Sequence, residues 1–225
     1  MGDPRTEPPP GWPESMDWDD SFQAIVDPER PVVCLTYPEG IAGQWNLFEA
    51  DLVRALTALL AERLVGPEGA SFDDWMWGRG LGIVTPHRAQ RARIVAELQA
   101  AFPDTPVAAI RDAVDTVERF QGQERDVILA SYAVGDPDTI AAEEEFLQDL
   151  NRFNVLATRP TSKLIVMVTD ELVGHLAADI RTLRSSALLK QFTGTYCGSS
   201  AAIDVSYADP RRGEREVPLT LRWHT

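Results

Sequence analysis

The chain has 225 residues, of which 44% are hydrophobic and 25% are charged, a composition typical of a globular protein that buries a sizeable core. Its net charge of −14 argues against a protein that coats nucleic acid, because phosphate binding requires a positive surface. No apolar run is long enough to span a membrane, and the N-terminus lacks the basic start and apolar stretch of a signal peptide. We therefore expect a cytoplasmic protein with no membrane partner.

The first 30 residues contain a PPP run, further prolines and an acidic DWDD patch, which predict an extended arm or linker without a core of its own. The ordered domain is expected to begin near Pro31. We predict three parts: the arm at 1–30, the main domain at 31–184, and a C-terminal extension at 185–225 made of a helix and a small hairpin.

Strands and helices alternate along the main domain. The predicted strands are 31–37, 81–85, 107–110, 126–132 and 163–168. The predicted helices are 46–64, 88–102, 143–158 and 170–184, with Asn46 as the N-cap of the first and a loop at 66–80. Most strands are continuous apolar runs, which predicts a mostly parallel sheet with helices on both faces, an α/β fold.

The two cysteines, Cys34 and Cys197, lie far apart in the sequence, and neither has a second Cys or a His at metal-binding spacing. This pattern predicts neither a disulfide framework nor a zinc site, and both residues are expected to be small packed side chains. We predict no metal ligand in this chain.

Polar residues collect at three connections of the predicted sheet. TPHRAQR follows the strand LGIV, ERFQGQE precedes DVILAS, and TRP precedes KLIVMV. Because ligands of open parallel sheets bind beyond the carboxyl ends of the strands, we expect the three segments to converge on one rim. In ERFQGQE, Phe120 is expected to be buried while Gln121 and Glu124 turn outward at Gly122. The alternative is that this segment is only a tight turn with solvated polar neighbours.

These segments also resemble motifs of a known family. GIVTPHRAQ, VDTVERFQGQERDVILAS and NRFNVLATRPTSKLIVMV resemble, in this order and spacing, motifs IV, V and VI of superfamily 1 helicases of the Upf-like type, the 5′-to-3′ RNA and DNA motors. NLFEA resembles the Asn-x-x-Glu-Ala helix that precedes motif IV. The resemblance covers residues 31 to 180 approximately and implies a RecA-like fold, in which this segment is the second motor domain.

The resemblance implies a nucleotide site. Arg91 matches the motif IV arginine that contacts the γ-phosphate, and Arg159 matches the arginine finger of motif VI. Glu124 matches the motif V glutamate near the nucleotide, and Gln121 and Gly122 form the turn beside it. Arginine suits such roles because it is always charged and binds phosphate oxygens with a planar fork. The alternatives are that Arg91 lies on a solvated helix face and that Arg159 complements the negative end of a helix.

The resemblance also implies contacts with a nucleic-acid backbone, at Thr85 and Thr116. Three positions depart from the family pattern: His87 replaces an aromatic residue, Glu118 replaces Asp, and Pro160 follows the proposed finger where Ala is usual. Because proline restricts the preceding residue, the geometry of the finger is less well defined than its identity.

The sequence contains no GxxxxGK[ST] phosphate loop, and the acidic run EEE at 143–145 opens a helix and does not follow an apolar strand, so it does not predict a magnesium site. ATP and Mg²⁺ are therefore expected only together with a first RecA-like domain that carries the phosphate loop, in the same or a separate chain. We expect the C-terminal motor domain of an ATP-dependent helicase or translocase, inactive by itself, which binds single-stranded DNA or RNA. The alternative is a catalytically silent RecA-like protein-interaction domain. The joint presence of Arg91, Gln121, Glu124 and Arg159 favours the motor domain.

Overall fold

The computed structural model describes residues 20–120, 122–177, 180–209 and 213–224. These residues form a seven-stranded sheet whose order is β3-β2-β4-β5-β1-β7-β6. The strands are β1 (Val32–Tyr37), β2 (Leu81–Val84), β3 (Val114–Asp115), β4 (Arg125–Ser131), β5 (Pro160–Thr169), β6 (Ser199–Asp209) and β7 (Gly213–Trp223).

Ten α-helices and two π-helical turns connect and follow these strands in the described ranges. The α-helices are α1 (Asp20–Val26), α2 (Leu47–Arg63), α3 (Phe72–Trp75), α4 (Arg88–Ala101), α5 (Val107–Ala113), α6 (Pro137–Ala142), α7 (Glu144–Leu147), α8 (Leu150–Ala157), α9 (Asp170–Gly174) and α10 (Ile180–Gln191). The π-helical turns are Met76–Gly80 and Phe192–Tyr196, so the predicted loop at 66–80 contains α3 and the first of these turns.

The first five strands are parallel, so their carboxyl ends and their amino ends form two opposite edges of the sheet. In register, Val84 pairs with Ala130, and Ala130 pairs with Val166. The carboxyl ends of β2, β4 and β5 therefore lie together, and we call this side the carboxyl edge and the opposite side the amino edge. The predicted α/β fold with a mostly parallel sheet is confirmed.

Helices cover both faces of the sheet, as predicted. Neighbouring residues of each strand point to opposite faces, so Leu129 lies in the core beneath α1, α2, α4 and α5, whereas Ile128 lies in the core beneath α6 to α10. This double burial explains why the strands read as continuous apolar runs.

Three predicted elements differ in the structure. The strand predicted at 107–110 is the helix α5, in which Ile110 and Ala113 are buried at helical spacing. A short apolar run is compatible with either a strand or a helix, and in the structure this run packs as a helix. The helix predicted at 143–158 is divided into α7, which ends with Gln148 as its C-cap, and α8, which Asp149 caps by accepting a hydrogen bond from the Asn151 amide at 2.7 Å. The helix predicted at 170–184 is likewise divided into α9 and α10.

The segment before β1 is not wholly an extended arm. Residues 1–19 lie outside the described range, but α1 buries Ile25 and Val26 in the main core. The following turn is held by Lys163, whose Nζ donates hydrogen bonds to the carbonyls of Asp27, at 2.9 Å, and Arg30. Burial lowers the pKa of Lys163 to about 8. The prediction of an extended segment is therefore wrong for residues 20–26, because their apolar side chains complete the core.

The C-terminal hairpin is larger than predicted and belongs to the sheet. β6 and β7 each have 11 residues, and β7 pairs antiparallel with β1, where Val33 is opposite Trp223. Within the described ranges, no helix combines the length and apolar character needed to cross a membrane. The cytoplasmic location stays a prediction.

Candidate functional site

The predicted site residues divide between the two edges of the sheet. TPHRAQR begins at the carboxyl edge, directly after β2, whereas Arg125 and Pro160 pair with each other at the amino ends of β4 and β5. The length of β4 separates these levels by roughly 20 Å. The expected convergence of all three segments on one rim is therefore wrong. The reason is topological: β3 and β4 are parallel, so the segment joining them runs back along the sheet before β4 begins.

At the amino edge, the structure brings together two of the three segments. The Arg125 amide donates a hydrogen bond to the Arg159 carbonyl at 3.1 Å. Arg79, from the π-helical turn before β2, places Nη2 at 3.6 Å from Glu124 Oε2 and Nε at 3.8 Å from Asp126 Oδ1. We call Arg79, Glu124, Arg125, Asp126 and Arg159 the amino-edge cluster. It combines three guanidinium groups with two carboxylates.

The Arg159 side chain folds back on the end of α8 in this structure. Its Nε donates to the Val155 carbonyl at 3.4 Å, and its Nη2 donates to Thr158 Oγ1 at 3.2 Å. This is the geometry expected if Arg159 complements the helix end, but both bonds are long and partly exposed. The guanidinium is therefore accessible to a ligand approaching the amino edge.

Glu124 and Gly122 are exposed beside Arg159. The Glu124 side chain is 57% exposed. Gly122 has a φ of 83° and open space where a Cβ would lie, so the turn uses the left-handed conformation that favours glycine. Gln121 lies outside the described residues. The arrangement places an exposed carboxylate and a partly exposed guanidinium just before two neighbouring strands.

Arg125 was not singled out from the sequence, although it follows the FQGQE motif directly. It is buried, and it donates from Nη1 to the Glu124 carbonyl at 3.2 Å and from Nη2 to Gln123 Oε1 at 3.0 Å. Burial lowers the pKa of Arg125, and the charge of Arg79 adds to this effect. Arg125 thus fixes the turn from inside. Phe120 beneath it is also buried, as predicted.

Arg91 lies at the other edge. Its Nε donates to the Val114 carbonyl at 2.8 Å and lies 3.3 Å from Asp115 Oδ1, while Nη2 donates to the Arg111 carbonyl at 3.1 Å. These contacts attach α4 to β3 and to the end of α5. The expectation that Arg91 shares a rim with Arg159 is wrong, because α4 begins at the carboxyl ends of the strands. Arg91 does not lie on a merely solvated helix face either.

Thr85 and Thr116 lie together at the carboxyl edge. The Thr85 amide donates to the Asp115 carbonyl at 3.2 Å, and the Thr116 amide donates to Asp115 Oδ1 at 2.8 Å. Thr85 is fully buried, whereas Thr116 is partly exposed. Of these two residues, only Thr116 reaches the surface in this structure.

A buried polar network at the carboxyl edge escaped the sequence reasoning. Glu49 is fully buried, and its Oε1 accepts a hydrogen bond from Tyr37 Oη at 2.6 Å. Its Oε2 accepts from Ser131 Oγ and, at 2.8 Å, from the Ala133 amide. Burial raises the pKa of Glu49 to about 7, although these hydrogen bonds favour the charged form and oppose the shift. The available signal was that Glu49 falls on the apolar helical face of Leu52.

Gln90 extends this network to α4. Its Oε1 accepts from the Asn46 amide at 2.8 Å, and its Nε2 donates to Ser131 Oγ at 3.0 Å. Asn46 in turn donates from Nδ2 to Tyr37 Oη at 2.9 Å. The polar residues of NLFEA and HRAQ thus join the ends of β1 and β4 inside the protein.

Neither a metal cluster nor a disulfide occurs in the described part of the chain. No group of three or more His, Cys, Asp or Glu residues there could hold a metal ion. Cys34 and Cys197 are free buried thiols, and burial raises the pKa of Cys197 to about 11.

Comparisons with known proteins give a consistent family. A family model described as an AAA domain matches residues 35–171. The chain is 30% identical over 160 residues to the DNA replication ATP-dependent helicase/nuclease DNA2 of Mus musculus, covering 67% of this chain and 13% of that protein. It is 33% identical over 155 residues to the DNA replication ATP-dependent helicase/nuclease JHS1 of Arabidopsis thaliana, covering 65% and 10%. With helicase sen1 of Schizosaccharomyces pombe, it shares 32% identity over 123 residues, covering 48% and 6%. The chain thus spans 13% or less of the length of these three relatives.

Proposed function

Because the chain belongs to the AAA domain family and is a RecA-like domain of superfamily 1 helicases of the Upf-like type, we propose that it is the C-terminal motor domain of an ATP-dependent helicase or translocase. In this proposal, a first RecA-like domain supplies the phosphate loop and this chain supplies the second wall of the nucleotide site. The observation that carries it is the bond from the Arg125 amide to the Arg159 carbonyl, which joins the Glu124 turn to the Arg159 turn.

The amino edge has the groups that such a wall requires. The Glu124 carboxylate is exposed and can accept hydrogen bonds from a ribose, and the Arg159 guanidinium can bind a phosphate. Gly122 leaves the backbone beside them open. When bound, ATP with Mg²⁺ supplies the γ-phosphoryl group and part of the charge neutralisation. The residues of this chain would hold the ribose and the phosphate from the side opposite the phosphate loop.

Arg159 must leave the end of α8 to act as a finger. The two bonds that it would release, to Val155 and Thr158, are long and partly exposed, so their loss costs little. A guanidinium delivered in this way stabilises negative charge that develops during phosphoryl transfer. The Arg125 amide holds the Arg159 carbonyl in place while the Arg159 side chain turns. The finger would therefore move without loosening the start of β5.

The carboxyl edge is the proposed contact for single-stranded DNA or RNA. Thr116 is partly exposed there, and Arg119, three residues later, is 75% exposed and lies 3.3 Å from Asp115 Oδ2. We assign the direct backbone contact to Thr116, with Thr85 buried beneath it. The nucleotide and the nucleic acid would then bind at opposite edges of one sheet, so binding at one edge must be transmitted to the other.

The second candidate is a catalytically silent interaction domain. Arg91 favours it to some degree, because the contacts of Arg91 with Val114 and Asp115 explain its presence without any phosphate. Glu124 and Arg159 have weaker contacts, an exposed ion pair and two long, partly exposed hydrogen bonds, and both are accessible at the amino edge. These two residues support the motor domain.

The test is ATP hydrolysis by this chain alone, by the first motor domain of its own helicase alone, and by the two joined. We expect no magnesium-dependent hydrolysis by the chain alone, and hydrolysis stimulated by single strands in the joined protein. Hydrolysis by the chain alone, or a joined protein no faster than the first domain alone, would refute the proposal.

A further inference from the structure

Arg152, in the first turn of α8, contacts several segments that carry proposed site residues. Its Nη2 lies 2.7 Å from Glu118 Oε1, two residues after Thr116, and its Nε lies 4.0 Å from Asp149 Oδ2 at the cap of α8. Its guanidinium carbon lies 3.8 Å from the centre of the Phe146 ring. Phe146 also contacts the ring of His87, with 5.5 Å between ring centres. Two of the three departures from the family pattern, His87 and Glu118, are thus connected through Phe146 and Arg152.

A small cavity links Arg152 to Thr85 as well. It has a volume of about 20 Å³, and Thr85, Ser131 and Arg152 are among the residues that line it. Thr85 Oγ1 and Arg152 Nη1 are both buried without a hydrogen-bond partner in the described residues. Thr85, from the first polar segment, and Glu118, from the second, therefore both lie beside Arg152.

The helix that carries Arg152 is weakly anchored by apolar contacts. α8 has eight residues, of which only Leu156 is fully buried, while Phe153 packs edge-on against Phe192. Because only one apolar side chain of α8 is buried, polar contacts have a large share in fixing this helix. Arg159 follows two residues after the last residue of α8. A small rotation of the helix therefore moves the finger.

We infer that Arg152 is a positioning residue that couples the nucleic-acid contact at the carboxyl edge to Arg159 at the amino edge. The inference rests on the proposed function, because it requires that the segment around Thr116 responds to a bound strand. A shift of this segment moves Glu118, and the ion pair transmits the shift to Arg152. α8 then rotates as a unit and resets Arg159, whose carbonyl is the partner of the Arg125 amide.

The competing explanation is that Arg152 only stabilises α8. Exposed ion pairs contribute little to stability. The Arg152 side chain is only 29% exposed, however, and combines the ion pair with a stacking contact, so its replacement should have a measurable effect under either explanation. They differ in one respect. A stabilising residue changes α8 equally with and without a bound strand, whereas a coupling residue changes the response of α8 to the strand.

The experiment is amide hydrogen exchange of the 225-residue chain with and without a thymidine oligonucleotide. The reporters are the amides of Thr158 and Arg125, which donate to the carbonyls of Asn154 and Arg159. In the parent, the oligonucleotide should change their exchange rates by about fivefold or more, the lower end of typical coupling between sites. In Arg152→Ala this response should vanish, while the amide of Thr85 still responds.

Arg54→Ala is the matched control. Arg54 forms an ion pair with Asp51 at 2.6 Å in α2, and its side chain is 28% exposed, close to the value for Arg152. Arg54→Ala should keep the full change in amide exchange on addition of the oligonucleotide. Arg152→Lys should restore part of it, because lysine keeps the charge opposite Glu118 but not the planar stack. A full response in Arg152→Ala would overturn the inference, and Glu118→Gln provides the same test if Arg152→Ala does not fold.

A second arm separates this inference from the proposed function. If the parent does not bind the oligonucleotide, the nucleic-acid part of the proposed function fails. Arg152→Ala, Glu118→Ala and the double variant are then compared without oligonucleotide, through the same two amides. Non-additive changes in exchange show that Glu118 and Arg152 act on these amides as one unit, which the inference requires, whereas additive changes refute it.

Discussion

The Arg125 amide and the Arg159 carbonyl form a hydrogen bond of 3.1 Å that joins the chain at the amino ends of β4 and β5. Neighbouring strands lie about 4.8 Å apart, so a ligand held by Glu124 is within reach of the Arg159 side chain. The backbone thus fixes the relative position of Glu124 and Arg159, whose side chains are both accessible at the amino edge. The first two predictions use this pair.

Arg159→Ala should lower kcat in the helicase that contains this domain and its first motor domain. A finger acts on charge that develops in the transition state, so we expect a loss of about 10³ to 10⁵ in kcat with little change in KM. Arg159→Lys should not restore the rate, because an ammonium lacks the guanidinium fork. A steady-state kcat within about tenfold of the parent, or roughly 1.4 kcal/mol, would show that Arg159 is not the finger.

Glu124→Ala should act on nucleotide affinity in the same helicase. Its carboxylate is proposed to bind the ribose in the ground state and the transition state alike, so KM should rise while kcat stays near that of the parent. Glu124→Gln keeps an acceptor oxygen and should show a smaller rise. If kcat falls and KM does not change, Glu124 contacts the reacting phosphate instead of the ribose.

Gly82→Ala should destabilise the chain by packing. A Cβ at this position would lie 2.7 Å from Cε1 of Phe120 and 2.8 Å from Cγ of Arg125, inside a filled core. Overpacking of this kind costs about 1 to 3 kcal/mol, which urea unfolding would detect. Gly78→Ala is the control, because a Cβ there meets no atom within 4 Å. Equal stability of the two variants would mean that Phe120 moves aside without cost.

Glu49→Gln should alter the pH dependence of folding. The pKa of Glu49 is about 7 in the folded chain, and an ordinary glutamate has about 4.3. A raised carboxyl pKa favours folding at low pH, and this contribution is lost as the pH rises through about 7. The variant has one hydrogen-bond acceptor fewer at every pH. Its glutamine does not titrate, however, so the variant avoids the decrease in stability at high pH.

We therefore expect the stability of Glu49→Gln relative to the parent to increase by up to about 3 kcal/mol between about pH 4 and pH 8. Denaturant unfolding at several pH values measures this change, and the exposed Glu68→Gln serves as the control. A stability difference that does not vary with pH would mean that the pKa of Glu49 is the same in the folded and the unfolded chain.

Binding of single strands to the isolated chain should be weak and sensitive to salt. The net charge of −14 opposes phosphate binding except at local basic positions such as Arg88, an exposed residue at the carboxyl edge. Fluorescence polarisation at several salt concentrations gives the slope of log affinity against log salt. Arg88→Ala should reduce that slope by about 0.7 if it removes one phosphate contact, whereas Arg54→Ala should not change it. Binding that is independent of salt would contradict the assignment of this edge.

The alternation of apolar runs with amphipathic segments was sufficient to predict the parallel sheet, because burial on both faces leaves a direct trace in each strand. It could not place Arg91 and Arg159 at opposite edges. That distinction depends on whether a residue follows or precedes its strand, together with the return of the chain between β3 and β4. α5 was mistaken for a strand because four apolar residues fit both periods.

The network around Glu49 was beyond prediction for another reason. Tyr37, Asn46, Gln90 and Ser131 lie on four different elements, and each is individually compatible with a surface position. Only the tertiary arrangement removes water from all of them at once. By contrast, Phe120 was correctly predicted to be buried, because its apolar ring stands among polar neighbours in a turn.

The pairing of β7 with β1 has a consequence for the solubility of shortened forms. A chain cut at residue 184 would leave β1 as an open edge strand, with unpaired backbone groups beside buried residues such as Val33 and Leu35. Apolar edges of this kind recruit strands from other molecules and aggregate. In the described chain the outermost strand is β6, which presents Ser200, Asp204 and Ser206 to solvent. The hairpin therefore covers an aggregation-prone edge strand with a hydrophilic one. Shortened forms made for expression should retain the hairpin.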